Sequence, residues 1–326
     1  MDKHAQVLLV GQAGFEAFLA KEADRVLEKG PGWVLAGGVP AEPCFAHLAL
    51  LDPVEIKAAA VNALAGGIAD YFLRTSREER YETTWPLCFE AAAQEGLAAR
   101  CRSVAEAFRE KTSRMARVMK LAREGRPDPG RICGLFVHLA GFGRAFASRR
   151  AWAGGQRRMA DDPQAPSRSY LKVEEAYRVL GQAPQPGQSV VDLGAAPGGW
   201  SYSAARHGAS VLAVDNGPLK GGAAGNPAIA HAEADAFKYR PGRPADWLFC
   251  DLLEDPRKVL ELLRLWVEAR WCRRFIVNLK FGRNDPFRLL HEALSPRGGI
   301  APRCSVLRAR HLYHDREELT LVGSLR

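Results

Sequence analysis

The sequence has little that would cross-link it, anchor it in a membrane or gather a metal ion. Its seven cysteines, at 44, 88, 101, 133, 250, 272 and 304, include no C-x-x-C pair. That excludes a zinc ribbon and a thioredoxin-type dithiol, and fits thiols kept in a reducing compartment. No stretch approaches the roughly 18–20 uninterrupted apolar residues of a membrane span. The start MDKHAQVLLVG lacks the apolar core and cleavage site of a signal peptide, so a cytoplasmic protein is expected. There is no G-x-G-x-x-G turn and no G-x-x-x-x-G-K-[ST] stretch, the usual fingerprints of dinucleotide and triphosphate binding. Internal repeats and low-complexity tracts are also lacking.

What is present describes an ordinary globular chain. Of 326 residues, 47% are hydrophobic and 25% charged, enough apolar surface to offset chain entropy. At roughly 100–200 residues per domain, two or three domains are expected. The charge is unevenly placed. Lys and Arg number 46 against 37 Asp and Glu, a net of +9. Residues 1–99 hold 8 basic and 14 acidic side chains, a net of −6, whereas 101–160 hold 14 and 4, a net of +10. A second basic stretch runs from Arg270 to Arg310. Solvated helix faces explain single cations; a one-sided excess of this size points to one face that meets a polyanion.

The first half reads as an α+β pattern of short elements. VLLVG (7–11), GWVLAGG (32–38) and CFAHLALL (44–51) look like strands. A helix is expected through Phe15, Phe18, Leu19 and Val26, and another over 61–73 despite Gly66 and Gly67. Residues 98–124 predict a long basic helix, with Arg102, Arg109, Lys111, Arg114, Arg117, Lys120 and Arg123 recurring every three or four residues or so. ICGLFVHLAGFGRAFAS (132–148) reads as strand, turn, strand. From Trp152 to Ser169 the composition shifts to Gly, Pro and charge, which suggests a linker at 156–168 between domains at 1–155 and 169–326. Trp152, beside Arg149, Arg150, Arg157 and Arg158, could stack on a nucleotide or simply pack. Asp161-Asp162 and Glu78-Glu79 read as solvated loop charges.

The second half alternates strand and helix. SVVDLG (189–194), SVLAVD (210–215), DWLFCD (246–251) and RFIVNLK (274–280) are near-continuous apolar strands. WSYSAARHG (200–208) reads as a helix with Gly208 at its end. Asp255-Pro256 starts another helix, as N-cap and first helical residue, through Val259, Leu262, Leu263 and Trp266. SVLRARHLYHD and EELTLVGSL close the chain as two strands. The pattern predicts an α/β, doubly wound, Rossmann-like sheet, mostly parallel with an antiparallel edge. His311 and His314, placed on a strand, would point to opposite faces, so no metal pair is expected.

The strongest local signal is Val191-Asp192-Leu193-Gly194-Ala195-Ala196-Pro197-Gly198-Gly199-Trp200. A strand enters, glycines turn, and a helix starts, which allows backbone to approach a ligand closely. Trp200 and Trp266 read as core rings. About 20 residues later Asp215 ends the next strand, where a carboxylate can accept from a ribose diol. Asp235 in AEADAF follows at the spacing of a third loop along the same crevice. An adenosine cofactor without a pyrophosphate fits this set, and S-adenosylmethionine is the candidate. Gly194, Ala196, Pro197, Gly198, Gly199, Trp200, Asp215 and Asp235 would hold it, with Ser169 and Asp251 closing the pocket.

DLGAAPGGW, VDNG, CDLLE, NLK and HDREE, with SRSYLK upstream, resemble the ribose 2′-O-methyltransferases of the FtsJ/RrmJ superfamily, and within it the RlmM family. The resemblance runs motif by motif from about Pro166 to the last residue, with Ala196 where that family's turn usually has cysteine. It implies S-adenosylmethionine-dependent methylation of a cytidine ribose in 23S ribosomal RNA, on naked or precursor RNA, by a monomer. For the first half it implies only a ferredoxin-like, THUMP-type RNA-binding region. It also implies a Lys-Asp-Lys-Glu catalytic set, carried here by Lys172, Asp251, Lys280 and Glu318, with Glu317 as the alternative for the last. Lys280 would take the proton of the 2′-hydroxyl. Singly, each of the four is more often an ordinary surface lysine or ion pair. Methylation of another structured RNA, and a nicotinamide-dependent oxidoreductase on a similar sheet, are the competing readings.

Overall fold

The computed structural model describes residues 6–38 and 42–326, and the chain divides into two compact units between Gly155 and Gln156. In chain order the first holds β1 Gln6–Val10, α1 Glu16–Lys21, β2 Arg25–Gly30, β3 Trp33–Gly37, β4 Leu48–Leu51, β5 Val54–Lys57, α2 Val61–Thr75, β6 Trp85–Ala91, α3 Leu97–Lys111, α4 Ala116–Met119, β7 Ala122–Glu124, β8 Gly130–Gly141 and β9 Arg144–Ala153. Eight strands follow the order β2-β3-β1-β4-β9-β8-β6-β7, and β5 also pairs with β9. The pairings are antiparallel except β6 with β7 and with β8. Leu64, Ile68 and Phe72 of α2, spaced four apart, meet Val104 and Phe108 of α3 and Leu87 and Phe136 of the sheet in one core.

Two expectations for this unit are corrected, and one left open is decided. Val26 lies in β2 rather than in a helix. The basic helix stops at Lys111: the buried Thr112 turns its hydroxyl back to the carbonyls of Phe108 (2.8 Å) and Arg109 (3.3 Å). The chain then bends so that Met115, Val118, Met119 and Leu121 pack against the core. Trp152 sits within β9, 8% exposed, so its ring packs and offers no stacking platform.

The second unit holds α5 Tyr170–Leu180, β10 Ser189–Leu193, α6 Gly199–Arg206, β11 Ser210–Val214, β12 Ile229–Ala232, β13 Ala245–Cys250, α7 Pro256–Glu268, β14 Cys272–Lys280, α8 Pro286–Leu294, β15 Cys304–Arg310 and β16 Glu318–Leu325. The sheet order is β12-β11-β10-β13-β14-β16-β15. The first five strands are parallel and β16 runs antiparallel between β14 and β15. The expected doubly wound sheet with an antiparallel edge is what forms. Val173 and Tyr177 of α5, Trp200 and Ala204 of α6, and Trp247, Phe249 and Ile276 of the sheet share one core. Asp255 caps α7 by accepting the Arg257 N–H (2.8 Å), with Pro256 in the first turn. β15 ends at Arg310, so His311 and His314 lie in the following turn and not on a strand.

Residues 156–168, expected as a linker, carry no helix or strand but are bonded along the second unit. Tyr170 Oη donates to the Ala160 carbonyl (2.9 Å), the Met159 N–H donates to His314 Nε2 (2.9 Å), and Asp162 accepts from Tyr202 Oη (3.0 Å) and Arg206 Nη1 (2.5 Å). Asp162 and Glu79, read as solvated, are both ion-paired, the latter to Arg149 at 2.8 Å. Cys133 is exposed and the other six cysteines are buried, with no disulfide among the described residues. Among the described residues no helix is long and apolar enough to cross a membrane.

One buried group sets a pH limit on the first unit. His138 of β8 lies opposite Glu90 of β6, 2% exposed, and neither ring nitrogen has a hydrogen-bond partner. Burial pushes its pKa down to about 4, against the pull of Glu90. Below about 6.5 the unfolded chain binds a proton that the folded unit refuses, so stability falls as pH drops from there towards 4. Between pH 7 and pH 5 the parent is expected to lose about 2 kcal/mol more than His138→Leu, read by urea unfolding of the full chain. Identical pH dependence in both would place the titrating group elsewhere.

Candidate active site

The carboxyl ends of the parallel strands bring the singled-out residues to one edge of the sheet. Gly194 follows β10, Asp215 follows β11, Asp235 comes three residues after β12, Asp251 follows β13 and Lys280 ends β14. Glu318 starts the antiparallel β16 and is therefore at the same edge.

The turn after β10 is shaped by backbone geometry. Gly194 has φ +77° and Gly198 φ +107°, and the Ala196–Pro197 bond is cis. A Cβ on Gly194 would lie 2.7 Å from Leu252 Cδ2, and one on Gly198 would lie 2.5 Å from Ala223 Cβ. Both glycines therefore first admit the protein's own chain. Gly198 precedes α6, which begins at Gly199. Trp200 is 2% exposed; its ring packs edge-on against Phe249 and its Nε1 donates to the Ser169 carbonyl (2.9 Å). Ser169 in turn holds Ser167, Oγ to Oγ at 2.7 Å, just before α5. The Trp200 ring is core, as expected.

Asp215 is bonded on both oxygens within the chain. Its Oδ2 accepts the Ala196 N–H (3.0 Å) and its Oδ1 the Gly217 N–H (2.7 Å), so it ties the glycine turn to the loop after β11. Asp235 accepts the Phe237 N–H (2.9 Å) and lies 3.5 Å from Lys238 Nζ.

The four matched polar residues form two half-buried ion pairs. Lys172 Nζ donates to Glu318 Oε2 at 2.6 Å, with the side chains 12% and 11% exposed. Lys280 Nζ donates to Asp251 Oδ1 at 2.5 Å and to the carbonyls of Asp251 and Leu252, each at 3.1 Å. Lys280 and Glu318 stand directly opposite in the β14–β16 ladder, which puts their Cβ atoms about 5 Å apart. The two pairs thus share a border. Glu317 stands outside the two pairs: its side chain is exposed and its carbonyl accepts from Phe281 (2.9 Å) and Gly282 (3.3 Å). For Lys172, burial disfavours the charge, but Asp251, Asp315 and Glu318 together raise its pKa above the usual lysine value. Lys172 is a fixed cation.

Sequence reasoning passed over Asp192, Glu175 and Asp315. Asp192 in β10 is 1% exposed; its Oδ2 accepts from Ser201 Oγ (2.6 Å) while Oδ1 has no partner. Burial pushes it up to about 7, and Asp251 and Asp215 add to the rise. A lone acid inside the apolar run VVDLG was the available signal. A cavity of about 520 Å³ opens at the opposite, amino edge of the same sheet, lined by Ser189, Ser210 and Tyr239 among others, and holds none of these groups.

Residues 165–256 match the FtsJ-like methyltransferase family. A curated relative from Halorhodospira halophila, named ribosomal RNA large subunit methyltransferase M, is 40% identical over 176 residues, 53% of this chain and 51% of its own length. A relative of the same name from Laribacter hongkongensis is 42% identical over 179 residues, 52% and 51% of the two chains. The chain spans about half the length of the curated relatives it matches. A solved structure from Clostridium difficile 630, described as a possible methylase, is 12% identical over 98% of this chain and 97% of its own, with a TM-score of 0.37.

Asp192 weakens the fold that contains it. Between about 3.9 and 7 the unfolded chain releases a proton that the folded one keeps, so stability falls as pH rises through that window, by about 4 kcal/mol at most. Asp192→Asn is expected to melt at a higher temperature than the parent at pH 8, with the difference shrinking towards pH 4. A lower melting temperature at pH 8 would show that the ionised Asp192 is compensated.

Proposed function

We propose that the chain transfers a methyl group from S-adenosylmethionine to the 2′-hydroxyl of a ribose in ribosomal RNA, a cytidine of the 23S molecule. The observation that carries this is the pair of bordering ion pairs, Lys172–Glu318 and Lys280–Asp251, on the same sheet edge as the glycine turn. The match of 165–256 to the FtsJ-like methyltransferases and the name shared by the relatives support it.

The edge fits the cofactor on its own chemistry. Asp251 and Asp215 both act electrostatically on Asp192, and Asp235 lies in the loop after the next strand. Such an acidic rim suits a sulfonium cation and a ribose diol and repels a pyrophosphate, which disfavours a nicotinamide dinucleotide. Asp192 Oδ1, buried without a partner, is an acceptor available to a donor beside the turn. S-adenosylmethionine, when bound, supplies an electrophilic methyl group on sulfur. Gly194, Ala196, Pro197, Gly198, Gly199 and the Trp200 backbone would shape its cradle, with Asp215 and Asp235 on the ribose and adenine side and Ser169 and Asp251 at the mouth.

The remaining work is positioning and proton transfer. A 2′-hydroxyl is a poor nucleophile at neutral pH, and in-line attack gains most from alignment. Lys280, oriented by Asp251 and two carbonyls, takes the hydroxyl proton as the free amine, after its own ammonium proton has left to solvent. The cation at Lys172, held by Glu318, borders that pair and adds positive charge to the site. Glu318 holds Lys172, and Asp251 holds Lys280.

The first unit is the RNA-holding part, of THUMP type. Arg102, Lys111, Arg114, Arg117, Lys120 and Arg123 are all exposed, and among the described residues none of them is in an ion pair. They suit phosphate contacts to naked or precursor RNA in the cytoplasm, with the chain acting as a monomer.

Lys280→Ala is expected to cut single-turnover methyl transfer at saturating RNA by at least ~10²–10⁴-fold while calorimetric S-adenosylmethionine affinity stays within about twofold. A near-normal rate would remove Lys280 from the reaction. Asp215→Ala should weaken cofactor binding by about 1–3 kcal/mol, and RNA affinity should fall steeply with salt. Ribosomal RNA from cells lacking the protein should miss one 2′-O-methyl group, restored by the parent gene and not by Lys280→Ala.

A further inference from the structure

A second buried acid sits behind Lys172. Asp315, 1% exposed, lies in the turn between β15 and β16. Its Oδ2 accepts the Leu312 N–H (2.9 Å) and the Thr320 hydroxyl (3.1 Å), and its Oδ1 has no hydrogen-bond partner. Thr320 follows Glu318 by two residues in β16, so both side chains leave the same face of the strand. The turn is gripped from the other side by α5. Glu175, three residues after Lys172 and on the same helix face, accepts the N–H groups of Tyr313 (2.7 Å), His314 (3.2 Å) and Arg157 (3.1 Å). One cation and three acids are thus packed between one helix and one strand start.

We propose that Asp315 is a positioning residue for Lys172. As a carboxylate it is a further anion, beside Asp251 and Glu318, that keeps Lys172 an ammonium ion, and its bonds to Leu312 and Thr320 hold the turn that delivers Glu318. The inference rests on the proposed methyl transfer only for its link to rate. The groups that face Asp315 are Lys172 and Glu175 from α5 and Glu318 and Thr320 from β16, with His311 and His314 in its own turn. Burial lowers both imidazoles, His311 to about 4, so neither is a competing cation at neutral pH. Burial pushes Asp315 up to about 7 against the pull of Lys172, and Glu175 up to about 8. Asp315 therefore gains its charge near neutrality and keeps it through the alkaline range where Lys172 would otherwise discharge.

The test reads Lys172 directly, by carbon-13 NMR of lysine ε-methylenes in the full chain, with the signal assigned by Lys172→Arg. In Asp315→Asn the Lys172 pKa is expected to drop by about one unit or more, and the alkaline limb of kcat should move down in step while the KM values for RNA and S-adenosylmethionine hold. Asp315→Glu should restore both. In the parent, needing no variant to fold, the Lys172 resonance should show a step near pH 7 as Asp315 ionises. A flat parent baseline from pH 6 to 8, an unmoved Lys172 in folded Asp315→Asn, or a kcat lowered equally at every pH would overturn the proposal. If Lys172 shifts but the parent methylates no RNA, the electrostatic role stands and the methyl-transfer reading falls.

Discussion

The site depends on one register. Lys280 ends β14 and Glu318 begins β16, and the antiparallel ladder sets them face to face. Because side chains alternate along a strand, a slip of one residue would turn Glu318 to the other face and leave Lys172 without its partner. The register is held firmly: Leu319, Leu321 and Val322 are fully buried, opposite the equally buried Leu279, Val277 and Ile276. The packing energy of the antiparallel insertion thus fixes the charge geometry. A wholly parallel sheet would put strand starts at the far edge, and an acid that opens a strand could not meet a lysine that closes one.

The same edge concentrates acids that the fold would do better without. Asp192, Asp315 and Glu175 are each 1% exposed or less, and burial raises all three to about 7 or 8. A core built for stability alone would place apolar side chains there. Their retention in one corner of one unit, around two lysines, marks it as a place where stability has been given up for electrostatics.

Much of this arrangement is legible in the sequence, and what is not has a physical reason. The glycine turn, the strand ends at Asp215, Asp251 and Lys280, and the Asp255-Pro256 cap are local signals. Each depends on a backbone conformation or a strand's length. The grouping of Lys172, Asp251, Lys280 and Glu318 is not local, and only the family resemblance suggested it; Glu317 and Glu318 are neighbours in sequence and differ only once one of them is exposed and the other buried. The basic helix was overextended because charge spacing says nothing about Thr112 turning its hydroxyl inward. Val26 was misassigned because β2 is an exposed edge strand with little alternation. Asp315 and Glu175 were passed over because an acid in HDREE or VEEA looks like any solvated acid until the turn closes on it.

The cysteines carry a last consequence, one for chemical labelling. Burial pushes the thiols of Cys250 and Cys272 up to about 12 and that of Cys304 up to about 11, so the second unit offers an alkylating reagent almost no thiolate at neutral pH. Cys133 in β8 is the one cysteine on the surface. A maleimide dye or spin label would therefore attach to the first unit and leave the second unmodified. The molecule has, in effect, a built-in site for reporting on its first unit without touching the sheet edge that carries the two ion pairs.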